Sequence, residues 1–237
     1  MSRLPVLGRL CLLAGFSLWL MLAAGCQTPP YNDPARLGPF FTPSNHVGDP
    51  VLPNGLRRVV LLPLAGESVA PGASLAALDP VVSAALQHQN RFEVIALTRT
   101  ECLRLFGVEE LSSVEMLPAN FMAALRREYA ADAVLFVDVT VFRAYRPLEI
   151  GLRAKLATTQ EVRLVWTFDT LFTAADPTTA NSARHFALAG SRQDVPADLT
   201  AAVLQSPSQF TAYAAETMFA TLPPVTLPAE PAGAKAP

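Results

Sequence analysis

The side chains of this chain that could do chemistry are few and scattered. Thiols stand at Cys11, Cys26 and Cys102, and imidazoles at His46, His88 and His185. No His-x-x-x-His, Cys-x-x-Cys or acidic loop of ligand spacing joins them, so neither a zinc nor a calcium site is expected. Glycine-rich phosphate cradles and the Gly-x-Ser-x-Gly elbow are missing too, and no cofactor is expected. Ser182 and His185 lie three residues apart, the spacing of a hydroxyl and its base on one helix face, but an ordinary solvated face is the expected account. Cys102, beside Leu103 and four residues before Phe106, reads as a small buried hydrophobe rather than a reactive thiol. Asp138 interrupts an apolar strand, where a carboxylate without a partner is costly. Pairing with Arg153, Lys155 or Arg163 on the wet sheet face is expected, the alternative being that it marks a site. This inventory holds no set of catalytic groups, and no enzyme is expected.

The strongest chemical signal is Leu22-Ala23-Ala24-Gly25-Cys26. Upstream, Arg3 and Arg9 make a basic start and Leu10 to Ala24 an almost unbroken apolar run, which together read as a secretory signal. Small residues before Cys26 let an extended backbone enter a peptidase site. The run resembles the lipobox of bacterial lipoproteins, with Ala23 at the position where Leu is common and Leu22 one step earlier. That resemblance implies a diacylglyceryl group on the Cys26 sulfur, cleavage after Gly25 and acylation of the new amino terminus, a palmitate-type modification. Gln27 stands where Asp would retain such a protein, so the resemblance implies sorting to the outer membrane, on its periplasmic face. The alternative is an uncleaved anchor, since Leu4 to Gly25 is just long enough to span a bilayer.

Loss of residues 1–25 removes two arginines and no acid, leaving 16 basic against 20 acidic side chains and a net charge of −4. With no Lys/Arg cluster, nucleic acid is not an expected partner, because such binding needs many phosphate contacts. The 212 residues from Cys26 onward can bury a substantial core in one domain. Only Cys102 keeps a free thiol after processing, so no disulfide within the mature chain can staple it.

The elements that must position these groups follow from periodicity and punctuation. Pro29, Pro30, Pro34, Pro39, Pro43, Pro50 and Pro53 make residues 26–56 a proline-rich flexible tether, with Phe40 and Phe41 as possible docking points on the domain. The domain is expected over 57–222 and a disordered Pro/Ala tail over 223–237. Arg58 to Leu64 and Phe92 to Leu97 read as strands, the first buried on both faces. Asp79-Pro80 caps a helix to about Gln89, Thr98 and Glu101 form a capping box closed by Gly107, and Pro118 opens a helix that turns Phe121 and Leu125 to the sheet. Ala133 to Phe142 is the central strand. Glu149 to Thr158 and Glu161 to Phe172 alternate around Thr158-Thr159-Gln160 as a hairpin, with Val162, Leu164, Trp166, Phe168 and Phe172 inward. Asp176-Pro177 starts a helix, residues 194–204 are ambiguous, and Ser206-Pro207-Ser208-Gln209 launches a last helix with Phe210, Tyr213, Ala214, Met218 and Leu222 inward. The fold class is therefore α/β, a mixed sheet of about five strands with helices packed on it as a sandwich.

This order, with Val59 to Leu64, Arg91-Phe92-Glu93-Val94-Ile95, Tyr129-Ala130-Ala131-Asp132-Ala133-Val134-Leu135 and Val165-Trp166, resembles the small α/β domain shared by the N-terminal part of TolB, the curli secretion lipoprotein CsgG and the penicillin-binding-protein activator LpoB. The resemblance covers residues 57 to about 222. It implies a non-enzymatic cell-envelope lipoprotein that binds other envelope proteins, and it carries over no functional residue. The charged sheet face bearing Glu149, Arg153, Lys155, Glu161, Arg163 and Asp169 is the candidate partner surface, or else a plain solvated face. Two other functions stand beside this reading. One is an envelope hydrolase with an unrecognised site. The other is a CsgG-like pore subunit whose alternating strands enter the membrane, since these have the required nine to eleven residues.

Overall fold

The run Ala133–Arg143 forms the longest strand, β4, and the fold is assembled around it. A computed structural model describes residues 33–66, 69, 75–190 and 199–225. The expected signal segment, Cys26, and the tail beyond Val225 lie outside the described residues. The remaining strands are β1 His46–Gly48, β2 Arg58–Leu61, β3 Glu93–Ala96, β5 Glu149–Thr158 and β6 Leu164–Thr173. The helices are α1 Pro34–Leu37, α2 Asp79–His88, α3 Arg99–Phe106, α4 Phe121–Tyr129, α5 Pro177–Gly190 and α6 Pro207–Ala220. Short 3-10 turns cover Leu75–Ala77 and Leu199–Leu204.

The six strands make one mixed sheet in the order β1-β6-β5-β4-β2-β3. β2 runs parallel to both β3 and β4, while β4, β5, β6 and β1 are antiparallel neighbours. Parallel pairing needs a crossover, and the helices between those strands supply it. One sheet face carries Val59, Leu61, Leu135, Val137, Ile150, Leu152, Trp166, Phe168 and Phe172, covered by Val82 and Leu86 of α2, Ala183 of α5 and Phe210, Tyr213 and Met218 of α6. The other carries Val60, Leu62, Val134, Phe136 and Ala157 beneath Cys102 of α3 and Phe121 and Leu125 of α4. Both faces of β2 and of the first half of β4 are therefore covered, which is why those stretches are continuously apolar. Each large side chain so buried contributes about 1.5–3 kcal/mol.

The local start and stop signals act as their chemistry dictates. Thr98 and Glu101 form a reciprocal capping box at α3, and Gly107 ends that helix in the left-handed region at φ 78°. Asp176 accepts from Thr178 and Thr179 at the head of α5, and Ser206 accepts from the Gln209 N–H at the head of α6. Asp79 departs from expectation. It lies inside α2, and its carboxylate accepts from the Leu64 N–H at 2.9 Å instead of capping.

The largest correction concerns the proline-rich stretch. From Asp33 onward it is built into the domain: Ala35 is fully buried and His46–Gly48 adds a sixth strand to the five expected, while Phe41 docks on the domain as expected, edge-on against Phe172 with centroids 5.4 Å apart. Its far end is also docked, because the Leu52 N–H donates to the Pro224 carbonyl at 2.9 Å. That contact, and the Arg91 guanidinium held by the carbonyls of Leu222 and Pro223, tie down the first residues of the expected tail.

The hairpin differs in detail. The connection runs from Thr159 to Arg163, Val162 is exposed there at φ 53°, and Leu164 is also exposed. The pairing shifts between Leu156↔Trp166 and Ala157↔Leu164, so Val165 is an extra residue in a bulge. One inserted residue reverses the alternation, and Val165 takes the buried place expected for Leu164.

Candidate functional site

The second sheet face is covered by α3 and α4 over β2 and the first half of β4 only. Beyond Phe136 the segment between α3 and α4 crosses it, leaving a cleft of about 990 Å3 lined among others by Gly66, Arg99, Glu110, Asp138, Thr140 and Arg153. Asp138 forms its floor and is 4% exposed.

The carboxylate of Asp138 is not paired with a cation, contrary to expectation. It accepts from the Ser113 N–H at 3.0 Å and the Ser113 Oγ–H at 2.5 Å. Arg153 stands opposite Asp138 across the β4–β5 ladder but turns its Nε to Asp169, 2.8 Å away. Lys155 donates from Nζ to the Ser113 carbonyl at 3.0 Å. Arg163 reaches Asp49 at 2.7 Å, beside the end of β1, and stands apart from the other three. Asp138, Lys155 and Ser113 thus form one polar tie that fastens the crossing segment to the sheet. The supposed partner face is largely engaged with itself.

A second cluster, which sequence reasoning did not find, closes the other end of the cleft. Arg99 donates from Nε to Asp79 at 2.8 Å, from Nη1 to Glu110 at 2.6 Å and from Nη2 to the Leu64 carbonyl at 2.9 Å. Glu110 also accepts from the Gly66 N–H at 2.9 Å. Burial alone would lower the Arg99 pKa, but the hydrogen bonds and charges of Glu110 and Asp79 outweigh it and hold the pKa raised. One sign of this role was readable: Arg99 occupies the first turn of a helix, where the positive dipole end disfavours a cation. A cation there needs acceptors elsewhere.

The remaining candidates are structural. The Phe41 N–H donates to Ser182 Oγ at 2.7 Å, and His185 Nδ1 donates to the Ala35 carbonyl at 3.0 Å, with its ring 4.8 Å from that of Phe40. The serine and histidine that share a helix face therefore hold the N-terminal segment and do not address each other. His46 and His88 lie far apart, in β1 and at the end of α2. Cys102 is fully buried, and burial pushes its thiol up to about 11. Among the described residues, no group of three or more His, Cys, Asp or Glu is placed to hold a metal ion, and no helix is long and apolar enough to cross a membrane.

Fold and site together define a mixed α/β domain whose polar clusters fasten loops to a sheet. No family model matches the chain, and no curated protein matches it. Solved structures similar to it include the PelC dodecamer from Paraburkholderia phytofirmans, at 14% identity over 76% of this chain and 96% of that one, with a TM-score of 0.44. Lipoprotein GNA1162 from Neisseria meningitidis is similar at 17% identity over 57% and 99%, with a TM-score of 0.36. TolB from Acinetobacter baumannii is similar at 11% identity over 66% and 33%, with a TM-score of 0.30. Similarities this low transfer no function.

Proposed function

We propose that this chain is a lipoprotein of the bacterial cell envelope, acylated at Cys26, held on the periplasmic face of the outer membrane and acting by binding other envelope proteins rather than by catalysis. The observation that carries the reading is the apolar run closing on Leu22-Ala23-Ala24-Gly25-Cys26, seven residues before Asp33, the first residue the structure describes. The side chains with candidate chemistry support it from the other side. Ser182, His185, Asp138, Arg153, Lys155 and Arg163 each have a partner within the fold, and Cys102 is sealed in the core. A hydrolytic centre needs a nucleophile and base within reach of each other and of a substrate. The apolar faces of β5 and β6 lie in the core beneath α5 and α6, which favours an adaptor over a pore whose strands enter lipid.

The test is Cys26→Ala in the expressing bacterium. Fatty-acid labelling should vanish and the precursor should accumulate unprocessed. Labelling that persists in the variant would show that the anchor lies elsewhere.

A further inference from the structure

The N-terminal segment does more than complete the sheet, because it fixes where a lipid anchor would enter the domain. Asp33 accepts from the Ala35 N–H at 3.0 Å and pairs with Arg184 at 3.0 Å. α1 packs on α5 with Ala35 fully buried between them. Asp33 and α1 are therefore fixed at a defined corner, against α5.

Seven residue steps separate Cys26 from Asp33, which at full extension reach roughly 25 Å. A diacylglyceryl-cysteine sits at the acyl boundary, so crossing the headgroup layer takes roughly 6 Å of that reach. What remains is about 20 Å, whereas a domain of this size has a radius of gyration of about 16 Å and a width of roughly 40 Å. A tether of about half the domain's width cannot reach across the body, so the body cannot turn over on it. The corner at Asp33 faces the membrane.

That corner has the surface chemistry of an interfacial contact. Leu37 is 65% exposed and Phe40 is 41% exposed, and exposed Arg36 lies beside them. Apolar side chains next to a basic one suit the boundary between acyl chains and lipid phosphates. Two such residues would bind lipid weakly from solution, but a covalent tether makes the encounter intramolecular and raises the effective concentration.

We propose that α1 and Phe40 rest on the phospholipid surface that carries Cys26, with Leu37 and Phe40 at the acyl boundary and Arg36 on a lipid phosphate. The proposal rests on acylation at Cys26. It orients the domain so that the cleft beside Asp138, on the sheet face opposite α5, is left to the periplasm.

The test uses the full acylated protein in vesicles of phosphatidylethanolamine and phosphatidylglycerol. Leu37→Cys and Met116→Cys variants each carry a nitroxide, and Met116 is a fully exposed reference on the loop tied to the opposite sheet face. Collision rates with oxygen and with a water-soluble nickel chelate report depth. At position 37 oxygen should dominate by several fold, and at position 116 the nickel complex should dominate. Mass measurement of the N-terminal peptide establishes acylation in the same samples. An acylated protein with both labels equally exposed to nickel would overturn the membrane contact alone, and an unacylated peptide would overturn the anchor and the contact together. A Phe40→Cys label, expected to behave as at position 37, guards against a local effect of replacing Leu37.

Discussion

The tie between Asp138 and Ser113 decides whether the floor of the cleft is structure or a free functional group. In Asp138→Ala the Ser113 N–H and Oγ–H both lose a charged acceptor, and the Lys155 contact to the same residue loses its support. A hydrogen bond to a charged group contributes about 1.5–3 kcal/mol, and partial access of water to Ser113 offsets some of this. The expected loss is about 2–3 kcal/mol, a large share of a stability on the order of 5–15 kcal/mol. Ser113→Ala keeps the bond from the backbone N–H and loses the hydroxyl, so it should cost about 1.5 kcal/mol. Because both changes remove the same hydroxyl–carboxylate bond, the double variant should fall short of the sum by about 1 kcal/mol. The assay is urea unfolding of a soluble form beginning at Gln27, followed by Trp166, its sole tryptophan and 1% exposed. With m values of about 1–3 kcal/mol per molar, Asp138→Ala should lower the midpoint by roughly 1 M. Strict additivity, or a midpoint shift for Asp138→Ala below about 0.2 M, would refute the tie and leave a carboxylate free to meet a ligand.

Three further predictions come from other parts of the molecule. A Cβ at Gly151 would collide with Thr140 Oγ1 and stand 3.0 Å from the Val141 nitrogen, so Gly151→Ala should cost about 1–3 kcal/mol in the same assay, with only part restored by adding Thr140→Ala. The Asp176 carboxyl is held at about 2, below its ordinary 3.8, by the hydroxyls and N–H groups of Thr178 and Thr179. A depressed carboxyl stabilises the fold above its unfolded pKa and loses that contribution as pH falls towards the folded one, so Asp176→Asn should cost roughly 1 kcal/mol at pH 7 and flatten the stability profile between pH 4 and 2. Burial raises the Cys102 thiol from 9.0 to about 11, so in the form lacking Cys26 a disulfide reagent at pH 8 should leave it unreacted until urea is added. The stabilisation linked to that proton is complete below about pH 9 and lost as pH rises through 11, and fast reaction of the native thiol at pH 8 would contradict its burial.

The parts of the fold that were legible share one property, namely that their signals are local. The alternation in β5, the apolar run of β4, the Thr98–Glu101 box, Gly107 and the Ser206-Pro207 start are set by neighbours within a few residues, and periodicity reports them directly. β1 has no such signal. All three of its residues are exposed, and it joins the sheet by backbone bonds to β6, which leave no trace in side-chain type. Ser182 and His185 looked like chemistry because helix geometry brings them to one face, and the Phe41 amide that takes up the serine lies 141 residues earlier in the chain.

By itself the sequence determined that the domain is α/β and which faces of its helices and of β5 turn inward, because both follow from residue order over short spans, and it carries the lipobox-like run ending at Cys26 on which the proposed function rests. The tertiary structure decided which polar groups meet. Asp138 takes Ser113 rather than Arg153, although Arg153 stands opposite it on the adjoining strand, because the crossing segment brings two donors to the carboxylate while Asp169 engages the arginine from the other side. Partner choice among several nearby groups is a contest of distances that exists only once the chain is folded, and the same contest turned a stretch of prolines into a helix packed on α5 and a strand paired with β6.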